Sequence, residues 1–109
     1  MRYVLLLCTP GGEQEAFSAR GRRTGGGSTR TVMTIALAPA STATTVRVRG
    51  GHVLLEDAPV VAAGDQLTGV VIAEGPTRDG AIAAAAETQE AAAGCVEIRT
   101  TRTTGLRDW

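Results

Sequence analysis

The chain has 109 residues, 43% of them hydrophobic and 20% charged, with a formal net charge of zero. That is a single-domain length, able to hold one modest core without a metal or disulfide. The balanced charge gives general nucleic-acid binding no support, three aromatic residues (Tyr3, Phe17, Trp109) give no base-stacking platform, and no run approaches the roughly 20 apolar residues of a membrane helix.

The opening run Val4-Leu5-Leu6-Leu7 is apolar without alternation. It predicts a strand over residues 2–8 that is covered on both faces. The run is too short for a secretion signal, and Thr9-Pro10-Gly11-Gly12-Glu13 is a poor cleavage context, so a cytoplasmic protein is expected. Residues 13–23 can form a short helix with Ala16, Phe17 and Ala19 on its apolar side. Thr24-Gly25-Gly26-Gly27-Ser28 lacks the Gly-Lys-Ser/Thr ending of a phosphate loop and reads as a linker. Val32 and Ile35 mark a second strand over residues 31–37, and residues 38–41 form a loop.

The clearest local signal runs from residue 44 to residue 56. Val46 and Val48 alternate with Arg47 and Arg49, Gly50-Gly51 follows, and His52-Val53-Leu54-Leu55 resumes. Two glycines between such strands predict a two-residue hairpin. The register then sets Arg49 against His52, Val48 against Val53, Arg47 against Leu54 and Val46 against Leu55. The valines and Leu55 share an inner face; Arg47, Arg49 and His52 share the other.

Asp57-Ala58-Pro59 is a turn, and residues 61–67 are expected to hold one loose helical turn. A strand over residues 69–74 is again apolar on both faces. A helix over residues 78–92 follows, with Thr77 as N-cap, Ile82 as its large core anchor and Gly94 at its C-terminal end. Residues 95–99 form the last strand, and residues 101–109 are a polar tail after a single domain of residues 1–100.

This order predicts an α+β fold: a ferredoxin-like antiparallel sheet with two helices on one face and an inserted β-hairpin. Strands apolar on both faces leave an open sheet face for a second copy to cover, so a homodimer is expected. In such a sheet the first and last strands are antiparallel neighbours, which brings Cys8 and Cys95 within roughly 8 Å between Cα atoms. They are expected to be buried, reduced and unreactive. They form no CxxC pair and no metal-ligand set, so neither a metal nor a cofactor is expected.

From Ala36 onward the sequence resembles the YCII-related family in its DGPF branch. The resemblance is carried by Leu37-Ala38-Pro39, by residues 44–51, by Leu54-Leu55-Glu56-Asp57-Ala58-Pro59, by Asp65-Gln66-Leu67-Thr68-Gly69 and by Gly94-Cys95-Val96-Glu97-Ile98-Arg99, with Arg2-Tyr3-Val4-Leu5-Leu6 at the start. It implies a ferredoxin-like fold that pairs as a dimeric α/β barrel, a mostly unassigned activity, and a weak regulatory association with sigma factors. The name-giving Asp-Gly-Pro-Phe stands here as Asp57-Ala58-Pro59-Val60, and Ala62 and Gly64 replace the usual Glu and Lys. The shortened first helix holds no histidine, so the histidine of the family's proposed His-Asp pair has no counterpart.

The resemblance makes Asp57 a cleft carboxylate that binds or orients a ligand; its local alternative is turn chemistry. His52, the only histidine, is a candidate acid, base or ligand against the alternative of an exposed strand residue. Arg47 and Arg49 are candidates for a small anion, against a solvated edge protected by charge. The expected function is a non-catalytic, dimeric, small-molecule-binding or regulatory module. The competing expectations are a small-molecule enzyme using Asp57 with His52, and a degenerate copy that folds poorly.

Overall fold

The computed structural model describes residues 1–10, 29–61 and 63–102. The expected helix over residues 13–23 and the glycine-rich linker lie outside the described residues, as does most of the polar tail.

The chain is α+β. Its strands are β1 (Arg2–Pro10), β2 (Arg30–Ala36), β3 (Thr45–Arg49), β4 (His52–Glu56), β5 (Asp65–Glu74) and β6 (Cys95–Thr100); its helices are α1 (Arg78–Ala86) and α2 (Gln89–Ala93). Four strands form one sheet in the order β2-β5-β1-β6, and β3-β4 is a separate two-stranded sheet. Every pairing is antiparallel. With the hairpin set aside, the chain's first and third sheet strands are central and its second and fourth are the edges, an order compatible with a ferredoxin-like sheet.

Alternation along β1 divides the sheet into two faces. Tyr3, Leu5 and Leu7 are at most 2% exposed and join Val71, Ala73, Ala81 and Ala85 in the core, with Val96 and Ile98 packed against it. Val4, Leu6 and Cys8 point to the opposite face and are only half-buried. Among the described residues one face has a helical cover and the other does not, as expected of a sheet with its helices on one face. Register fixes the membership of the open face. Val4 stands opposite Ile72 and Leu6 opposite Val70; Met33 and Ile35 of β2 stand opposite the same two β5 residues.

The long helix expected over residues 78–92 is two helices. Thr77 caps α1 as anticipated, its hydroxyl accepting from the Gly80 N–H at 3.1 Å. Thr88 ends the run. Its backbone is extended, its hydroxyl donates to the Ala85 carbonyl at 2.8 Å, and the same oxygen accepts from the Ala91 N–H. One threonine thus closes α1 and caps α2. The core-facing side of α1 is alanine: Ala81, Ala84 and Ala85 are buried, whereas Ile82 is 41% exposed and is not the anchor expected of it. Small side chains let the helix lie close to the sheet.

Gly94 follows α2 with φ −143°, so no left-handed cap explains the glycine. The reason is contact. A Cβ at position 94 would come within 2.9 Å of the Thr9 Cα and still closer to the Cys8 carbonyl oxygen. The α2–β6 turn presses on the backbone of β1, and only a residue without a side chain fits there.

Among the described residues of 61–67 there is no helical turn. Gly64 takes φ +84° and β5 already begins at Asp65. The buried Gln66 donates from Nε2 to the Val61 carbonyl at 2.6 Å and ties the bend to the strand. Thr68 is the extra residue of a β-bulge opposite Leu7 and Cys8, and its hydroxyl donates to the Leu7 carbonyl.

Candidate functional site

The hairpin forms in the register that its loop dictates: Arg49 opposite His52, Val48 opposite Val53, Arg47 opposite Leu54 and Val46 opposite Leu55. Gly50 and Gly51 have φ of +55° and +79°, the pair of positive values a type I′ turn requires. Thr45 anchors the foot of the hairpin, its buried hydroxyl donating to the Ala58 carbonyl at 2.6 Å. What fails is the inner face. Val46, Val48, Val53 and Leu55 are 58–69% exposed, so no described part of this chain covers them.

The register brings Arg47, Arg49 and His52 onto one face of the hairpin, with Leu54 and Glu56. Arg47 is engaged by Glu56, Nη1 to Oε1 at 3.2 Å. Arg49 donates to the carbonyl of its neighbour Val48. His52 is exposed at the tip, across from Arg49. Asp57 lies apart from these three, at the foot, where Oδ1 accepts from the Thr44 hydroxyl at 3.3 Å. It is exposed as well. The four candidate residues therefore occupy two ends of one solvent-facing element. Among the described residues no three His, Cys, Asp or Glu side chains form a metal-binding group.

A feature that the sequence reading passed over lies beside Asp57. A half-open cleft of about 350 Å³ is lined by residues 37–40, Thr42, Ala43, Pro59, Gln66 and Leu67. Its size is at the small end of the range for small-molecule sites. The lining is mainly apolar, with the Thr42 hydroxyl already donating to Pro39 and the Gln66 amide to Val61. The Leu37-Ala38-Pro39 and Asp57-Ala58-Pro59 segments meet here. A short 3₁₀ turn over Ala40–Thr42 replaces the open loop expected after Pro39 and shapes one wall. The Thr44–Asp57 hydrogen bond sits one residue from Ala43 and two from Pro59 in sequence; Asp57 itself is exposed and does not line the cleft. The two Ala-Pro steps were visible in the sequence, but their meeting depends on the hairpin foot and was not.

A scan against protein-family models finds no match for this sequence, and a search of curated proteins finds none either.

Proposed function

We propose that this chain is a divergent YCII-related, DGPF-type domain that acts as a homodimeric, non-catalytic, small-molecule-binding or regulatory module. The observation that carries the reading is the small apolar cleft where the two Ala-Pro segments meet, with Asp57, bonded to Thr44, two residues before its Pro59 wall. An apolar pocket with one oriented polar group at its margin suits binding. Proton-transfer chemistry needs an acid and a base converging on one point. His52 and Asp57 sit at opposite ends of β4, the span of a five-residue strand, which favours binding over turnover. The fitting ligand is small and largely apolar, with a hydrogen-bond donor or positive group directed at Asp57. Arg47 and Arg49 stand on the exposed hairpin, with Arg47 committed to Glu56.

The homodimer reading is supported by the open sheet face. Val4, Leu6, Met33, Ile35, Val70 and Ile72 share it, and Met33 and Ile35 are 50% and 40% exposed. A second copy stacked face to face would remove this surface from water and make the pair a closed α/β barrel. A cytoplasmic location goes with the same reading; no helix among the described residues is long and apolar enough to cross a membrane.

A thermal-shift screen of small organic acids, ketones and amines tests the binding proposal, with Asp57→Ala and His52→Ala as controls. Stabilisation by a compound that is lost in Asp57→Ala, kept in His52→Ala and unaccompanied by turnover is the expected result. Turnover abolished in either variant would replace the module by an enzyme. A broad, uncooperative melt of the wild type would identify a degenerate copy.

A further inference from the structure

The register of β1 and β6 sets Cys8 directly opposite Cys95. Facing residues of an antiparallel ladder have Cα atoms roughly 4.5–5.5 Å apart, inside the span a disulfide bridges. Facing residues also project to the same side of the sheet, here the open side. The Cys95 thiol lies near enough to bear on the Cys8 thiol. Neither is sealed in the core: Cys8 is half-buried and Cys95 is exposed on an edge strand. This corrects the expectation of two buried thiols. A core position could not meet an oxidant, whereas in the single chain this pair, at the start of edge strand β6, can. Its backbone is fixed on both sides, by the bulge beside Cys8 and by Gly94 pressed onto the Cys8 carbonyl.

We propose that Cys8 and Cys95 form a reversible dithiol–disulfide site that reacts with low-molecular-weight disulfides such as oxidised glutathione. The Cys95 thiolate, as the more exposed, attacks one sulfur of the small disulfide. The disulfide bond breaks, one small thiol leaves and takes up a proton from solvent, and Cys95 carries a mixed disulfide. Cys8 then loses its proton and attacks the Cys95 sulfur, and the second small thiol leaves protonated. Two electrons pass from the protein dithiol to the small disulfide, and two protein thiol protons end on the two released thiols. Burial, then Cys95, Asp65 and Glu97, raise the Cys8 thiol above its ordinary range. Cys8 is thereby kept from reacting first, and it attacks a sulfur already held against it. The product joins the first sheet strand to the last and closes a loop of nearly the whole described chain. Such closures restrict the unfolded state most in the chain-entropy account.

The test equilibrates the full chain with reduced and oxidised glutathione at several ratios, quenches in acid and reads intact mass, peptide map and melting temperature. Expected are a loss of two hydrogen masses, one linked peptide holding Cys8 and Cys95 from the same chain, a rise of several degrees in melting temperature, and full reversal by excess reduced thiol. Cys8→Ser should instead accumulate glutathione on Cys95. A wild type that stays glutathionylated, that links Cys95 between chains, or that keeps both thiols alkylatable at the most oxidising ratio would overturn the proposal.

Discussion

β1 and the β3–β4 hairpin both alternate along their strands, and their burial is opposite. In β1 every second side chain is sealed, with Leu5 1% and Leu7 0% exposed. In the hairpin the alternating Val46 and Val48 are 59% and 58% exposed. Yet the hairpin's alternation is the cleaner of the two in the sequence. Alternation and turn residues fix which side chains share a face, because both act within a few residues. What covers that face is decided by distant segments. For β1 the cover is α1 and α2; for the hairpin it is nothing described in this chain.

The comparison is sharpened most by truncating one residue in each region. Leu5→Ala should cost about 3 kcal/mol, through lost burial and a cavity under the helices. Val48→Ala should cost under about 0.5 kcal/mol in the isolated chain, the usual size for an exposed substitution. Urea melts of both variants read the difference. A Val48 cost equal to that of Leu5 would mean the hairpin is covered in solution.

Gly94→Ala should rank next, at about 2 kcal/mol, because the new methyl meets the backbone of Cys8 and Thr9 rather than a movable side chain. Gly50→Val should cost roughly 1 kcal/mol: no atom lies within 4 Å of its Cβ position, so the penalty is purely that of φ +55°. If Gly94→Ala proves milder than Gly50→Val on calorimetric melting, the close approach of the α2–β6 turn to β1 is relieved in solution.

The smallest effect concerns Glu74 of β5, which binds Arg2 of β1 and Arg30 of β2. Hydrogen bonds from Arg2 at 3.2 Å and from Arg30, with the Arg30 charge close by, hold its carboxyl below the ordinary range. A lowered folded value means that its stabilisation is present above the ordinary carboxylate range and is lost as pH falls through the lowered value. Glu74→Gln should therefore flatten the acid limb of the stability–pH curve and leave stability at low pH unchanged. An identical acid limb in the two proteins would show that these exposed pairs contribute nothing.

The limits of legibility follow the same division. Hairpin register, the Thr77 cap and the facing of Cys8 and Cys95 were all readable, the last because strand order alone determines it. The break at Thr88 was also signalled, by a threonine ahead of Gln89-Glu90 inside an alanine run, but helix propensity outweighed it. Ile82 was misassigned because the largest apolar residue of a helix is the natural anchor; here the helix sits so close to the sheet that only alanines fit. The cavity at Pro39 and Pro59 could not be read, since it forms where two loops converge through Thr44 and Asp57. Both cysteines were expected in the core because apolar neighbours surround them in sequence, whereas β6 is an edge strand and its end is open.

The central claim is that the open sheet face is covered by a second copy, and static light scattering on the wild type and on Met33→Asp/Ile35→Asp tests it most directly. Both substituted residues are already substantially exposed in the single chain, so the variant should keep its fold by circular dichroism. The account predicts a dimer mass for the wild type at micromolar concentration and a folded monomer for the variant. A wild type that is monomeric with a cooperative melt, or a variant that stays dimeric, would contradict it.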